Sequence, residues 1–293
     1  MRLNVLHSSS HVPAFNAAAE EYFFRNRSAE QSCLMFYTNA PSVHIGRNQN
    51  PWQECNLDWC DEHQVGMLRR ISGGGTVFHD LGCLNYAFIL PREEYKPDEY
   101  VAIAQQALRQ HGVAATIQGQ HSLWVGQAKI SGTACALVGQ NCLIHGCILV
   151  ETDLGALSNA LRPTPGVTYT GGVASVRAPV ANVVDLASNC SLSALEQAIQ
   201  SAAIEHFRLS HTDGKVDDTA ILEETLNPQI RDILAERQSP DWLWGHTPDF
   251  TAEDTRGNTP LRYVVHRGLI TEPPELAGLP WPPPLAATVV REA

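Results

Sequence analysis

Several common signatures are missing from this 293-residue chain. Its eight cysteines form no Cys-x-x-Cys pair, which argues against a zinc ribbon or a thioredoxin-type redox motif. The one metal-like spacing, Cys142-x-x-His145-x-Cys147, is filled with Leu, Ile and Gly and reads as core, so no metal-ligand set is expected. Cysteines scattered in this way fit a reducing compartment. Basic residues are few: 20 Lys and Arg stand against 31 Asp and Glu, for a net charge of −11. No basic cluster exists beyond Arg69-Arg70, so nucleic acid is set aside as a partner. No apolar run reaches membrane-spanning length, so no membrane role is expected. Met1 to His7 alternates like a strand and not like a signal peptide. A cytoplasmic location is the expectation, or a mitochondrial one if a presequence is missing. No internal repeat is visible.

What is present centres on Arg69-Arg70-Ile71-Ser72-Gly73-Gly74-Gly75-Thr76-Val77-Phe78-His79-Asp80-Leu81-Gly82. Three glycines let backbone N–H groups turn inward and approach a ligand closely. Successive N–H groups of such a turn make an anion-binding nest. The arginines add fixed charge and a planar donor fork suited to phosphate or carboxylate. No Gly-Lys-Ser/Thr closes the stretch, so it is not a P-loop. A tight hairpin turn with solvated arginines is the plainer alternative.

A second anchor is Lys129, in Ala128-Lys129-Ile130-Ser131-Gly132-Thr133-Ala134. A lysine in an apolar strand is costly to bury unless it meets an anion. Alone it reads as an edge-strand lysine in water. Together with the glycine turn, it fits a site for an acyl-phosphate mixed anhydride.

Hydrophobic content of 44% allows a full core. Strands are expected at 2–7, 33–37, 42–46, 85–90, 142–150 and 261–266, and a hairpin over 123–132 turns at Gly126-Gln127. Helices are expected at 14–25, at 98–110, and from Pro51 with Asn50 as cap, continuing over 57–64. A further helix at 153–161 is capped by Thr152 or Asp153. Ser193-x-x-Glu196 reads as a capping box opening another, to Phe207. Residues 217–237 read as weakly helical, 163–182 as a loop with a lid or ligand-facing role, and the proline-rich end as an irregular tail. The fold class is α+β (mixed α/β), a largely antiparallel central sheet with helices packed on one side.

The chain resembles the lipoate–protein ligase and lipoyltransferase family, within the biotin/lipoate ligase fold group. Ile45-Gly46-Arg47-Asn48-Gln49-Asn50-Pro51-Trp52, the Arg69 to Gly82 stretch and Lys129-Ile130-Ser131-Gly132-Thr133-Ala134 carry the resemblance. His145-Gly146, Ser175-Val176-Arg177 and the Trp242 to Phe250 segment fit later landmarks. The resemblance implies a catalytic domain over 1–245 and a short accessory segment over 246–293.

It further implies that lipoate, or octanoate, is joined to AMP from ATP, normally with Mg²⁺. The acyl group then passes to a lysine of a lipoyl carrier domain: the E2 subunits of 2-oxoacid dehydrogenases or the glycine cleavage H protein. Lys129 would be catalytic. Arg70, Ser72, Gly73, Gly74, Gly75, Thr76, Val77, Phe78, His79, Lys129 and Gly132 would hold the ligand. Two positions depart from the family pattern: Ser122 stands where an acidic residue is usual, and Cys83 where asparagine is common. The first leaves open a transferase that takes only pre-formed lipoyl-AMP. A non-catalytic acyl or nucleotide binding module is the third reading.

Overall fold

The computed structural model describes residues 2–211, 214–217, 220–223, 227–257 and 259–282. In chain order the elements are β1 (Arg2–Ser8), α1 (Pro13–Arg25), β2 (Gln31–Tyr37), β3 (Ser42–Ile45), α2 (Pro51–Glu54), α3 (Leu57–Glu62), β4 (Gly66–Arg69), β5 (Val77–His79) and β6 (Cys83–Pro91). Next come α4 (Pro97–Gln110), β7 (Thr116–Gln118), β8 (Ser122–Val125), β9 (Ala128–Val138), β10 (Asn141–Leu149), α5 (Leu154–Ala160), β11 (Val167–Thr170) and α6 (Leu192–Ser210). The chain continues through β12 (Lys215–Val216), β13 (Ala220–Leu222), α7 (Pro228–Arg237), β14 (Phe250–Asp254), β15 (Leu261–His266) and β16 (Leu269–Glu272).

The main sheet runs β12-β1-β2-β6-β10-β9-β8-β7, with β13 also on β1. Strand β1 pairs in parallel with β2, β12 and β13, and the other pairings are antiparallel. Every residue of β6 is buried. Leu84, Tyr86, Phe88 and Leu90 enter one core with Val101 and Leu108 of α4 and Leu195 and Ile199 of α6. Ala87 and Ile89 enter the opposite core with Phe15 and Ala18 of α1 and Ile230 of α7. Helices therefore cover both faces, not the one face expected. The continuous apolar run of β6 is the physical reason, since a strand buried on both sides does not alternate.

Local chemistry sets most boundaries. Asn50 caps α2, its side chain accepting from the Trp52 N–H, with Pro51 at the first position. Asp153 caps α5 in the same way. Helix α6 starts earlier than expected: Ser191, in extended conformation, accepts from the Ala194 N–H, and Ser193 lies inside the helix. The helical expectation for 217–237 holds only from Pro228, capped by Asn227. Upstream, Ala220–Leu222 pairs with Leu6–Ser8, because the open edge of β1 captures it as a strand. Residues 218, 219 and 224–226 lie outside the described residues.

Two smaller sheets flank the main one. The order β4-β3-β5 carries Arg69 at the end of β4 and the residues after the glycines in β5. The order β11-β14-β15-β16 is built by the C-terminal segment, with Val167–Thr170 recruited from within the expected 163–182 loop. Its core joins Phe250, Tyr263 and Trp281 to Trp52 of α2. The proline-rich stretch thus contributes a buried Trp281, while residues 283–293 lie outside the described residues.

Candidate active site

A cleft opens where the small β4-β3-β5 sheet meets β9 and β10. It has two lobes, of about 540 and 420 Å³. The larger is floored by Glu20, Tyr37, Arg70 and His145, and the smaller is walled by Phe78, Leu149, Leu157 and Val180. Lys129 and Gly132 line both.

The two arginines have different tasks. Arg69 is only 1% exposed. Its guanidinium donates to the carbonyls of Gly46, Arg47, Gln49 and Leu243 and to the Thr247 hydroxyl, at 2.8–3.2 Å. It pins the loop after β3 to the C-terminal segment and keeps no donor for a ligand. Arg70 folds back on its own loop, donating to the carbonyls of His44, Gly73 and Gly75 and to the Ser72 hydroxyl. Burial pulls both guanidinium groups down to about 10 from their ordinary value. Both forks are thus turned mainly onto protein acceptors, although both arginines border the larger lobe.

Arg70 therefore shapes the glycine turn. Gly74 adopts φ +84°, which favours glycine. A Cβ on Gly46 would meet the Gly74 carbonyl oxygen at 2.1 Å, so the two loops touch only because Gly46 has no side chain. Ser175 clamps the turn from outside: its hydroxyl accepts from the Thr76 N–H at 3.0 Å, and Gln49 bridges Thr76, Gly46 and the Val173 carbonyl. Val173 to Val176 line the larger lobe, so part of the 163–182 loop does face the cleft.

Of the residues expected to hold a ligand, Arg70, Gly74, Gly75, Thr76, Val77, His79, Lys129 and Gly132 line the larger lobe, and Phe78 lines the smaller. Ser72 and Gly73 line neither. Ser72 is buried, and its hydroxyl lies 2.7 Å from His145 Nε2. His145 Nδ1 is 2.9 Å from Glu20, which also accepts from the Tyr37 hydroxyl at 3.1 Å. Tyr37, Glu20, His145 and Arg70 form the floor of the larger lobe, with Ser72 buried behind it between His145 and Arg70. Sequence reading missed Glu20 and Tyr37; the signal was a carboxylate inside the apolar run of α1. Glu21 beside it also borders the lobe but is gripped by two nitrogens of the buried Arg237 at 2.6 Å.

Lys129 differs from all of these. Its backbone is fixed between Pro179 and Ala181. Its side chain lies along Gly132, with Cε and Nζ each 3.6 Å from where a Cβ there would be. Among the described residues its ammonium has no hydrogen bond or ion pair. Burial lowers its pKa from the ordinary value. An anion arriving in the cleft would find this cation desolvated and free.

The acids along the cleft are engaged: Glu20 and Glu21 as above, Glu54 by the Ser175 N–H, and Asp80 nearby by the Gly82 and Asp153 N–H groups. Ser122 is buried in the wall of the larger lobe. A hard cation such as Mg²⁺ prefers carboxylates, phosphates and water, and among the described residues each carboxylate along the cleft already accepts at least one hydrogen bond. A softer group of His79, Cys83 and Cys147 has ligand atoms within 4.8 Å of one another. Asn39 Nδ2 lies 3.1 Å from His79 Nδ1, which places the ring proton on Nε2. That nitrogen is then a donor and not a ready ligand.

A desolvated lysine at the junction of two lobes, facing an arginine-shaped glycine turn, defines a class: protein ligases that hold a small acid beside an activating nucleotide. The lipoyl protein ligase A/B catalytic domain pattern matches residues 12–204. The lipoate-protein ligase A of Psychrobacter cryohalolentis is 36% identical over 265 residues, covering 88% of this chain and 77% of that protein. Among solved structures, Plasmodium falciparum LipL1 in complex with lipoate superposes with a TM-score of 0.73 at 23% identity, covering 92% of this chain and 82% of that one. A lipoate-protein ligase A bound with ATP gives 0.64 at 23% identity, over 83% of this chain and 98% of that one. The chain belongs to the lipoyl protein ligase A/B family of enzymes and has its fold.

Proposed function

We propose that this enzyme attaches lipoate, or octanoate, to a lysine of lipoyl carrier domains through an acyl-AMP intermediate made from ATP. The carrying observation is the free, desolvated ammonium of Lys129 at the meeting point of the two lobes. One lobe takes the acyl chain and the other the nucleotide, so that carboxylate and α-phosphate meet at Lys129. There Lys129 stabilises charge on the carbonyl and phosphate oxygens as the carboxylate attacks and pyrophosphate leaves. In the second half it steadies the carbonyl oxygen while the acceptor amine attacks and AMP departs. Arg70, through the carbonyls it holds, keeps the Gly74-Gly75-Thr76 backbone in a fixed cradle for the anhydride. Cradle and lysine act by positioning and by preorganised charge, with neither bonded to the substrate.

Glu20 and Tyr37 hold His145 fixed as a wall of the acyl lobe. Mg²⁺ would accompany the triphosphate. Glu54, which lines the smaller lobe, is the carboxylate that would stand nearest to it, and no step here is routed through the ion. The carrier domains of 2-oxoacid dehydrogenases and of the glycine cleavage system are the proposed acceptors. Residues 246–293 are the proposed accessory segment; its described part packs with Val167–Thr170 against Trp52 of α2.

The test supplies lipoate, MgATP and an acceptor lipoyl domain. Pyrophosphate release and an acceptor heavier by one acyl group are expected; absence of both from folded protein would contradict the reading. The buried Ser122 and the engaged acids favour one alternative, a transferase using only pre-formed lipoyl-AMP. It is chosen if lipoyl-AMP labels the acceptor and lipoate with ATP does not.

A further inference from the structure

The ligase reading leaves one proton without a destination. The acceptor amine must shed a proton as it becomes an amide, and the groups described so far do not take it. Lys129 is a cation. The two ring nitrogens of His145 are held by Glu20 and Ser72. Among the residues that line both lobes, only Lys129 and Cys147 titrate.

Cys147 lies opposite Gly132 in the β9–β10 ladder. The tip of Lys129 rests on that same glycine, so sulfur and ammonium stand over one point of the cleft. Cys147 is 7% exposed yet borders both lobes. Donors converge on its sulfur. Cys83 and the His79 ring, protonated on Nε2, place their ligand atoms within 4.8 Å of it. His79 Nε2 is buried without a conventional hydrogen-bond acceptor, and a charged sulfur would relieve that. The turn that carries His79 and Cys83 is rigid: Asp80 accepts from the Gly82 N–H, and a Cβ on Gly82 would strike the Glu151 carbonyl at 2.1 Å.

We propose that Cys147 is the general base of the acyl-transfer half-reaction. The acceptor nitrogen bonds to the acyl carbonyl carbon, and the carbon–oxygen bond to phosphate breaks. AMP leaves with the electron pair, and the proton on nitrogen passes to the Cys147 thiolate, which returns it to water after products depart. The inference rests on the ligase reading above. Its electrostatics agree: the Cys83 S–H bond first, and then His79 and the Gly132 N–H, hold the Cys147 thiol well below its ordinary range, while Cys83 is pushed up. Arg70 and Lys129 interact favourably with the thiolate; Tyr37 and Tyr86, both neutral at working pH, complete the titratable surroundings.

The experiment uses pre-formed lipoyl-AMP with two acceptors: the lysine of a lipoyl domain, and hydroxylamine, which is unprotonated at neutral pH and whose adduct is acidic enough to lose its proton to water without a protein base. Cys147→Ala should slow transfer to the domain about 10²-fold or more and transfer to hydroxylamine by less than about threefold. Cys83→Ala, which keeps the base but removes a donor, should move the acidic limb of the pH–rate profile to higher pH. Three results overturn the proposal: equal loss toward both acceptors, no loss toward either, or a hydroxylamine-labile acyl adduct on Cys147 without acceptor, which would make the sulfur a nucleophile. If wild-type protein transfers to neither acceptor, the proposal and the ligase reading fall together. If it labels both and Cys147→Ala changes nothing, only the proposal falls.

Discussion

The walls of the cleft on either side of the reacting point are built on opposite principles. On the β4–β5 side, Arg69, Arg70, Gln49, Thr76 and Ser175 form a closed network of short hydrogen bonds. On the β9 side, Lys129 is half-buried with a lowered pKa and makes no hydrogen bond or ion pair among the described residues, with only the Cys147 sulfur as a charged neighbour across Gly132. The first side is a scaffold whose polarity has already been satisfied by protein. The second is a charge held out of water for something else to satisfy. The contrast separates two kinds of cation that look alike in sequence: one whose loss harms the fold, and one whose loss harms the chemistry.

The contrast is sharpest in a pair of substitutions. Lys129→Ala should lower acyl transfer about 10³-fold, the scale of removing a preorganised electrostatic donor. The melting temperature should stay equal or rise, because a desolvated charge is removed. A large loss of stability would move Lys129 to the structural side. Arg69→Met should do the reverse, destabilising the fold by about 3 kcal/mol as buried carbonyls lose their donor, read by urea unfolding. Gly74→Ala comes next. It forces a Cβ into φ +84° and should cost about 1 kcal/mol, together with weakened binding of the nucleotide because the turn reopens.

The smallest effect is a pH slope. Lys129 has a folded pKa below its unfolded one, so between the two the unfolded chain binds more protons. Stability should therefore rise with pH through that window and be lost as pH falls through the folded pKa. Lys129→Met should flatten this part of the profile, and so should a bound anion that restores the lysine's pKa. A profile identical in wild type and variant would show the lysine to be solvated.

The sequence made visible whatever local chemistry decides. Asn50 before Pro51 marks a capped turn, Gly126-Gln127 marks the hairpin, and the triple glycine marks a tight turn; the structure has each of these. Pairings between distant segments were not legible. Nothing near Ala220 announces that it will join the edge of β1, and nothing in 163–182 announces that Val167–Thr170 will pair with Thr251–Asp254. The site divides in the same way. Lys129 stood out because a charge in an apolar strand is conspicuous, whereas Arg69 and Arg70 read alike until tertiary contacts gave them different acceptors. Glu20 was hidden because its partners, Tyr37 and His145, lie 17 and 125 residues away. Cys147 was read as core filling, since the donors around it come from β5, β6 and β9.

The central claim is that Lys129 meets the anhydride directly. Its most direct test is calorimetric binding of a hydrolysis-resistant lipoyl-sulfamoyl adenosine to wild type and to Lys129→Met. A loss of affinity of about 10²-fold or more, with the fold and the affinity for lipoate alone largely kept, is the predicted result. Equal affinity for the analogue in both proteins would contradict the account.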